Sequence, residues 1–375
     1  MKKIICFIAI FMLFSANLRF FSKTDTTFAV ATSAEGVAVI ETSSGRLLYS
    51  KDENKRLPMA STTKILTAIV AIENTDDLNE KHEIPKQAVG IEGSSIYLKA
   101  GEHLSILELL YGLMLRSGND AAVAIAIIVS GSVENFVKLM NDKCKDLDLA
   151  NTHIVTVNGL HDDKHFTTAH ELAKITAYAL QNEIFAKIVS TKAVNISNEK
   201  GKSDKRYLRN KNRFLNMVDG ADGVKTGYTK KAGRCLVSSA TRNGMQVVCV
   251  VLNCVPMFED SSKLVSNAFD EYKLVKLFSK GEILKIDSKD KKSQKVPIFL
   301  KNDIYFPLKT DEIVKITAKL NIKHNLQTPI KDSEPIGTID VNLENNLIFS
   351  NKVYTINIDK TASVKDNFHK IIKAF

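Results

Sequence analysis

Apolar and polar positions along the chain fall into three textures. From Glu35 the text reads "EGVAVIETSSGRLLYS", two apolar runs flanking "SSG", which predicts a β-hairpin. Helical periods follow. "KILTAIVAIEN" predicts one helix, and "SILELLYGLMLR" a second that opens with a capping box, Ser105 to Glu108. "DAAVAIAIIVS" is apolar all round and therefore expected to be buried, whereas "VENFVKLMNDKCKDLDL" is amphipathic. "TAHELAKITAYAL" starts at another expected capping box, Thr168 to Glu171. Short β-like runs return with "GVKTGYT", "RCLVSSAT" and "MQVVCVVLN", the last two joined by "RNG", where Asn243-Gly244 suits a tight turn with positive φ. "EDSSKLVSNAFDEYKLVKLFSKG" is expected to form a further helix, closed by Gly281.

Strands at both ends thus bracket a helical middle. The expected fold class is α+β: an antiparallel sheet joining the early hairpin to the late strands, flanked by helices, with a helical lobe inserted. After Gly281 a charged stretch, "SKDKKSQK", leads into short strands from Val296 to Ile358, which predict a separate small all-β domain. In the tail "VKDNFHKIIKAF", Val364, Phe368, Ile371, Ile372 and Phe375 share one helical stripe, with Lys365, Lys370 and Lys373 elsewhere. Such a helix suits an anionic membrane surface, or packing on its own domain, and the pattern leaves both open. The expected division is a signal peptide over 1–31, a catalytic domain over 32–280, a β domain over 281–360 and the tail over 361–375.

Composition adds little to this and the N-terminus adds more. The chain has 375 residues, 44% hydrophobic and 25% charged, which is ordinary for globular protein. The net charge of +10 is spread out, without Lys/Arg runs interleaved with aromatics. That pattern argues against nucleic acid as partner and suits an anionic membrane or wall surface. Two lysines precede the 11 apolar residues Ile4–Phe14, a signal-peptide pattern with a small-x-small cleavage site at Ala29-Val30-Ala31. Export permits disulfides, but the Cys235 and Cys249 runs resemble buried free thiols, and no CxxC spacing occurs.

Three short motifs carry the candidate chemistry. Ser61 and Lys64 in "STTK" stand one turn apart where the apolar helix begins, so a hydroxyl lies near its N-terminus and a lysine can take the hydroxyl proton if it is neutral. Burial and a second cation would both lower that lysine's pKa. In "RSGND", Ser117 and Asn119 lie between two apolar helices, where a hydroxyl can relay protons and an amide can meet a substrate carbonyl. In "DGVKTGYT", Lys225 and Thr226 would hold a carboxylate, and Gly227 leaves room for a peptide along the strand. The backbone N–H of Tyr228 would complete an oxyanion hole with that of Ser61. Each motif alone is ordinary: a helix cap, a turn, a lysine on an edge strand. Together and in this order, SxxK, SxN and KTG form the signature of penicillin-binding proteins and class A β-lactamases.

The sequence resembles the D-alanyl-D-alanine carboxypeptidases among the low-molecular-mass penicillin-binding proteins, peptidase family S11. The likeness covers residues 36–276, through "PMASTTKILTAIVAIE", "GSSIYLKAGEHLSILELLYGLMLRSGNDAAVAIA", "NTHIVTVNGLHDDKHFTTAHELAKI" and "DGVKTGYTKKAGRCLVSSA". "TPIKDSEPIGTIDV" and the tail look like that family's C-terminal β domain and membrane anchor. The resemblance implies a serine acyl-transfer enzyme acting on peptidoglycan stem peptides and acylated by β-lactams, with no metal or cofactor. Ser61 would be the nucleophile, Lys64 the base and Ser117 a proton relay, with Lys225 and Thr226 on the terminal carboxylate. The arginine that family members often carry after the third sheet strand is absent from "NCVPMFEDSS", which directs attention to Lys211 or Arg213. A β-lactamase would need an ExxLN glutamate, which is missing. A D,D-endopeptidase, a non-catalytic penicillin-binding sensor and a glutaminase share the fold. The pair His161 and His165 in "HDDKH" has the i, i+4 spacing of some zinc sites but lacks HExxH, so metal binding is not expected.

Overall fold

The computed structural model describes residues 31–197, 205–281, 284–285, 297–322, 331 and 333–355. The expected leader up to Val30, the stretch "SKDKKSQK" and the amphipathic tail lie outside the described residues.

The early hairpin is present as β1 (Gly36–Glu41) and β2 (Leu47–Lys51). Its turn is organised by Glu41, whose carboxylate accepts from the backbone and side chains of Ser43 and Ser44, and Gly45 takes φ 68°. The helical middle comprises α1 (Lys64–Glu73), a ribbon of β3 (Lys81–Glu83) with β4 (His103–Ser105), α2 (Ile106–Leu115), α3 (Asn119–Ser130), α4 (Val133–Asp146), α5 (Ala169–Leu180) and α6 (Glu183–Ser190). The Ser105–Glu108 capping box forms in full. At α5 only half of the expected box forms: Thr168 accepts from Glu171 N, while the Glu171 carboxylate turns to Asn151 N and Thr152 Oγ1. On α4 the buried residues Phe136, Met140 and Cys144 recur every four positions, as an amphipathic helix requires.

A second ribbon, β5 (Ala193–Ser197) with β6 (Lys205–Arg209), precedes the late strands β7 (Ala221–Thr229), β8 (Gly233–Arg242) and β9 (Met245–Leu252). These close one five-stranded antiparallel sheet in the order β2-β1-β9-β8-β7. Early and late segments meet at β1 and β9, from Gly36↔Leu252 to Glu41↔Val247. The β8–β9 turn has Asn243 at φ 50° and Gly244 at φ 77°, the conformation expected of the "RNG" hairpin. Every residue of β1 is buried, because helices cover both faces of the sheet. One face meets α5 and, through it, α1; the other is covered by α7 (Met257–Glu271), with Leu264, Val265 and Ala268 buried.

The last expected helix is shorter than its sequence pattern. It ends at Glu271, and β10 (Lys273–Phe278) pairs antiparallel with β13 (Ile304–Leu308) instead. The segment "KLVKLF" satisfies a helical period and a strand alternation equally, and Gly281 donates its N–H to Leu300 O rather than capping a helix. Beyond it lie β11 (Leu284–Lys285) with β12 (Pro297–Ile298), and a three-stranded sheet of β14 (Ile316–Ile322), β15 (Gly337–Leu343) and β16 (Asn346–Val353). Ile298, Leu300, Ile304, Ile336, Ile339 and Val353 form their own small core. The seam with the first sheet is made by Arg46, at the start of β2. Its guanidinium pairs with both Glu312 carboxylate oxygens (2.9 and 2.6 Å), donates to Pro307 O, and lies 5.0 Å from the Tyr272 ring and 5.3 Å from that of Phe306.

Candidate active site

The site begins with a tight turn. Ala60 adopts φ 49°, a left-handed conformation unusual for a residue with a Cβ, and residues Ala60–Thr63 form a single 3-10 turn before α1. Two threonines hold that turn: Thr62 Oγ1 donates to Met59 O (2.6 Å) and Thr63 Oγ1 to Ala60 O (2.8 Å). A 3-10 turn has three residues per revolution, so positions i and i+3 eclipse. Ser61 and Lys64 are therefore stacked more directly than in a regular α-helix, and Lys64 Nζ lies 2.8 Å from Ser61 Oγ.

Lys64 is completely buried and has two further contacts, with Asn119 Oδ1 at 2.7 Å and Asn158 O at 2.6 Å. Both are oxygens that accept only, so Nζ donates to each. The orientation of the Asn119 amide is fixed because its Nδ2 donates to Glu92 O. Burial, reinforced by the charge of Lys225, holds Lys64 well below the ordinary lysine range, while Asp120 opposes the shift. No carboxylate contacts the amine directly, which is why desolvation prevails.

Ser117 lies at the break between α2 and α3, in the left-handed region with φ 64° and nearly buried. Asn119 opens α3. The next residue, Asp120, is buried and accepts from Ser95 Oγ, Ile96 N, Leu98 N and Ala121 N, fastening residues 95–98 over the helix start. Gly93, at φ 91°, is required beside it: a Cβ there would stand 2.7 Å from Asn119 Nδ2.

The third motif lies on β7, an edge strand of the sheet. Lys225 is buried, donates to Thr226 O (2.8 Å), and is lowered to about 7 by burial and by the charge of Lys211. Gly227 packs on the Ala60–Thr63 turn, where a Cβ would come within 3.1 Å of Met59 O and 3.2 Å of Ser61 N. The glycine thus brings the strand against Ser61. Tyr228 follows, with 62% of its surface exposed. Of the two cations named for carboxylate recognition, Lys211 is near enough for its charge to lower Lys225, whereas Arg213 lies over Phe258 and 4.0 Å from Glu259.

The structure thus brings Ser61, Lys64 and Asn119 into direct contact and sets Gly227 against them. The roles of Asp120 and Asn158 were not foreseen. Asp120 had a signal, an acid directly after SGN, whereas Asn158 contributes a backbone carbonyl, which no residue type advertises. The two histidines of "HDDKH" diverge: His165 is buried with Nε2 2.8 Å from Thr63 Oγ1, and His161 pairs with Asp163 at 3.2 Å. Among the described residues Cys144, Cys235, Cys249 and Cys254 are all buried free thiols, as the apolar runs around Cys235 and Cys249 suggest for those two.

Comparison with known proteins gives the family. Residues 23–255 match the family described as D-alanyl-D-alanine carboxypeptidase, Peptidase S11, and residues 272–360 match the penicillin-binding protein 5 C-terminal domain. The D-alanyl-D-alanine carboxypeptidase DacF of Bacillus subtilis is 32% identical over 330 residues, spanning 85% of this chain and 84% of that protein. The crystal structure of penicillin-binding protein 5 from Haemophilus influenzae is similar with a TM-score of 0.74 at 27% identity, over 87% of this chain and 97% of that one. That of the Streptomyces K15 DD-transpeptidase is similar with a TM-score of 0.60 at 33% identity, over 63% of this chain and 97% of that one.

Proposed function

We propose, from the premise that this chain belongs to the S11 family of serine-type D-alanyl-D-alanine carboxypeptidases, that it removes the terminal D-alanine from peptidoglycan stem pentapeptides through an acyl-enzyme on Ser61. The observation that carries the mechanism is the set of three contacts around Lys64 Nζ. A neutral amine has two N–H donors and one lone pair. With the donors directed to Asn119 Oδ1 and Asn158 O, the lone pair points at the Ser61 hydroxyl. That is the arrangement of a general base for the serine.

Acylation then runs as follows. Ser61 Oγ bonds to the carbonyl carbon between the last two D-alanines as its proton passes to Lys64. The Ser61 and Tyr228 N–H groups hold the oxyanion. The C–N bond breaks, and the proton returns to the leaving amine, relayed by Ser117. Water then attacks the ester, giving its proton to Lys64 and ultimately to Ser61 Oγ. Lys225, Lys211 and Thr226 bind the terminal carboxylate, while Gly227 lets the peptide lie along the open edge of β7. β-Lactams, which imitate D-Ala-D-Ala, acylate the same serine. The leader pattern and the family together support work outside the cytoplasm, on the wall.

The test is D-alanine release from a pentapeptide ending in D-Ala-D-Ala, by the chain from residue 32 onward, with Ser61→Ala alongside. Release that disappears in the variant is expected, a loss of several orders of magnitude. A folded wild-type protein that releases no D-alanine but cleaves cross-linked dimers would make the enzyme an endopeptidase. One that only binds penicillin would make it a sensor.

A further inference from the structure

His165 lies outside the three motifs, yet it is 97% shielded, being 3% exposed, and every polar atom of its ring is engaged. Val155 N and Thr156 N both donate to Nδ1, at 3.0 and 3.3 Å. Nδ1 therefore carries no proton, and the neutral ring bears it on Nε2, 2.8 Å from Thr63 Oγ1. Thr63 Oγ1 accepts that proton's bond and passes its own on to Ala60 O at 2.8 Å. Burial lowers the ring to about 4, against the opposing pull of Asp162 and with help from His153 and His161, so the neutral form is the working one.

The ring thus joins two pieces of chain that meet at the base. One is the nucleophile turn, whose left-handed Ala60 needs its carbonyl held. The other is the loop over residues 155–165, which supplies the Asn158 carbonyl to Lys64. The two are in close contact: a Cβ on Gly159 would lie 2.0 Å from Ala60 O.

We propose that His165 is a positioning residue for the base: by tying residues 155–156 to Thr63 and so to Ala60, it fixes the Asn158 carbonyl relative to Ser61 and aims the lone pair of Lys64. This rests on the reading of Ser61 as nucleophile and Lys64 as base. The consequence is specific. Loss of the ring misdirects the lone pair without touching the surfaces that bind substrate, so the acylation rate falls while initial affinity does not.

The experiment measures acylation by a fluorescent penicillin over a concentration series, separating initial affinity from the acylation rate constant. His165→Leu is expected to acylate roughly a hundredfold more slowly with affinity unchanged. His165→Asn, which keeps an acceptor near Nδ1, and His165→Gln, which keeps a donor near Nε2, should each recover part of the rate. A wild-type rate in His165→Leu, equal loss in all three variants, or a change confined to affinity would overturn the proposal. If His165→Leu does not fold, Thr63→Val, which deletes only the linking hydroxyl, takes its place, and a wild-type rate there overturns it too. Failure of the wild-type protein to acylate would instead count against the functional reading itself.

Discussion

The catalytic cleft and the seam beneath the C-terminal sheet both take cations out of water, but they do so differently. At the seam, Arg46 meets Glu312 through two hydrogen bonds, and two aromatic rings cover its faces. The charge is matched and stays where it is. In the cleft, Lys64 and Lys225 are buried against neutral oxygens, and each is disfavoured as a cation. A carboxylate beside Lys64 would hold its proton and remove the base. The difference teaches that compensation is withheld where a group is to give up its proton, as proposed for Lys64, or to await the charge of a substrate, as proposed for Lys225, and supplied where the charge has only to hold two pieces together.

The sharpest way to break this contrast is to make the base permanently charged. Lys64→Arg keeps a long cationic side chain but cannot deprotonate. D-Alanine release should fall about 10²- to 10⁴-fold, and a stopped assay on the pentapeptide reads it directly. Retained activity would mean that the buried amine is not the base.

Lys225→Met tests the other buried lysine in a quantity that ordinary site mutations move the opposite way. The folded pKa of about 7 lies below the ordinary 10.5, so the unfolded chain binds more protons between those values. Stability contributed by this group is therefore present above pH 10.5 and lost as pH falls through about 7. The variant should be more stable than wild type near neutral pH, by on the order of a few kcal/mol in denaturant titration, while losing carboxylate recognition. In the wild type, kcat/KM should decline as pH rises through about 7, because the free enzyme then loses the ammonium that meets the carboxylate.

The smallest effect is expected at the seam. Arg46→Ala leaves Glu312 without its cationic partner, with the Lys309 N–H still donating to it, and should cost about 1–3 kcal/mol in thermal or denaturant unfolding. D-Alanine release from soluble peptide should not change. A matching loss of activity would show that the seam also positions the site.

What was legible in the sequence follows the same division. The β8–β9 turn could be read because Asn-Gly is nearly confined to positive-φ turns, and the Ser105–Glu108 box because both halves are local. SxxK, SxN and KTG could be read because each is a pattern of side-chain types at fixed spacing. The end of α7 could not, since "YKLVKLF" fits a helix or a strand until β13 arrives to pair with it. Asn158 was hidden because it acts through its backbone, and His165 because its meaning lies in contact with Thr63, more than a hundred positions earlier in the chain.

The pairing of β1 with β9 has a consequence in time. Gly36 finds its partner only when Leu252 has been made, and nearly all of the helical lobe lies between them. The lobe's helices can form from local contacts, but the sheet needs a closure over most of the chain, which is slow for entropic reasons. Ser61 and Gly227 stand on opposite sides of that closure. Ser61 is therefore made long before the strand that packs against it, and the site proposed above can be complete only once β7 and the sheet behind it have closed.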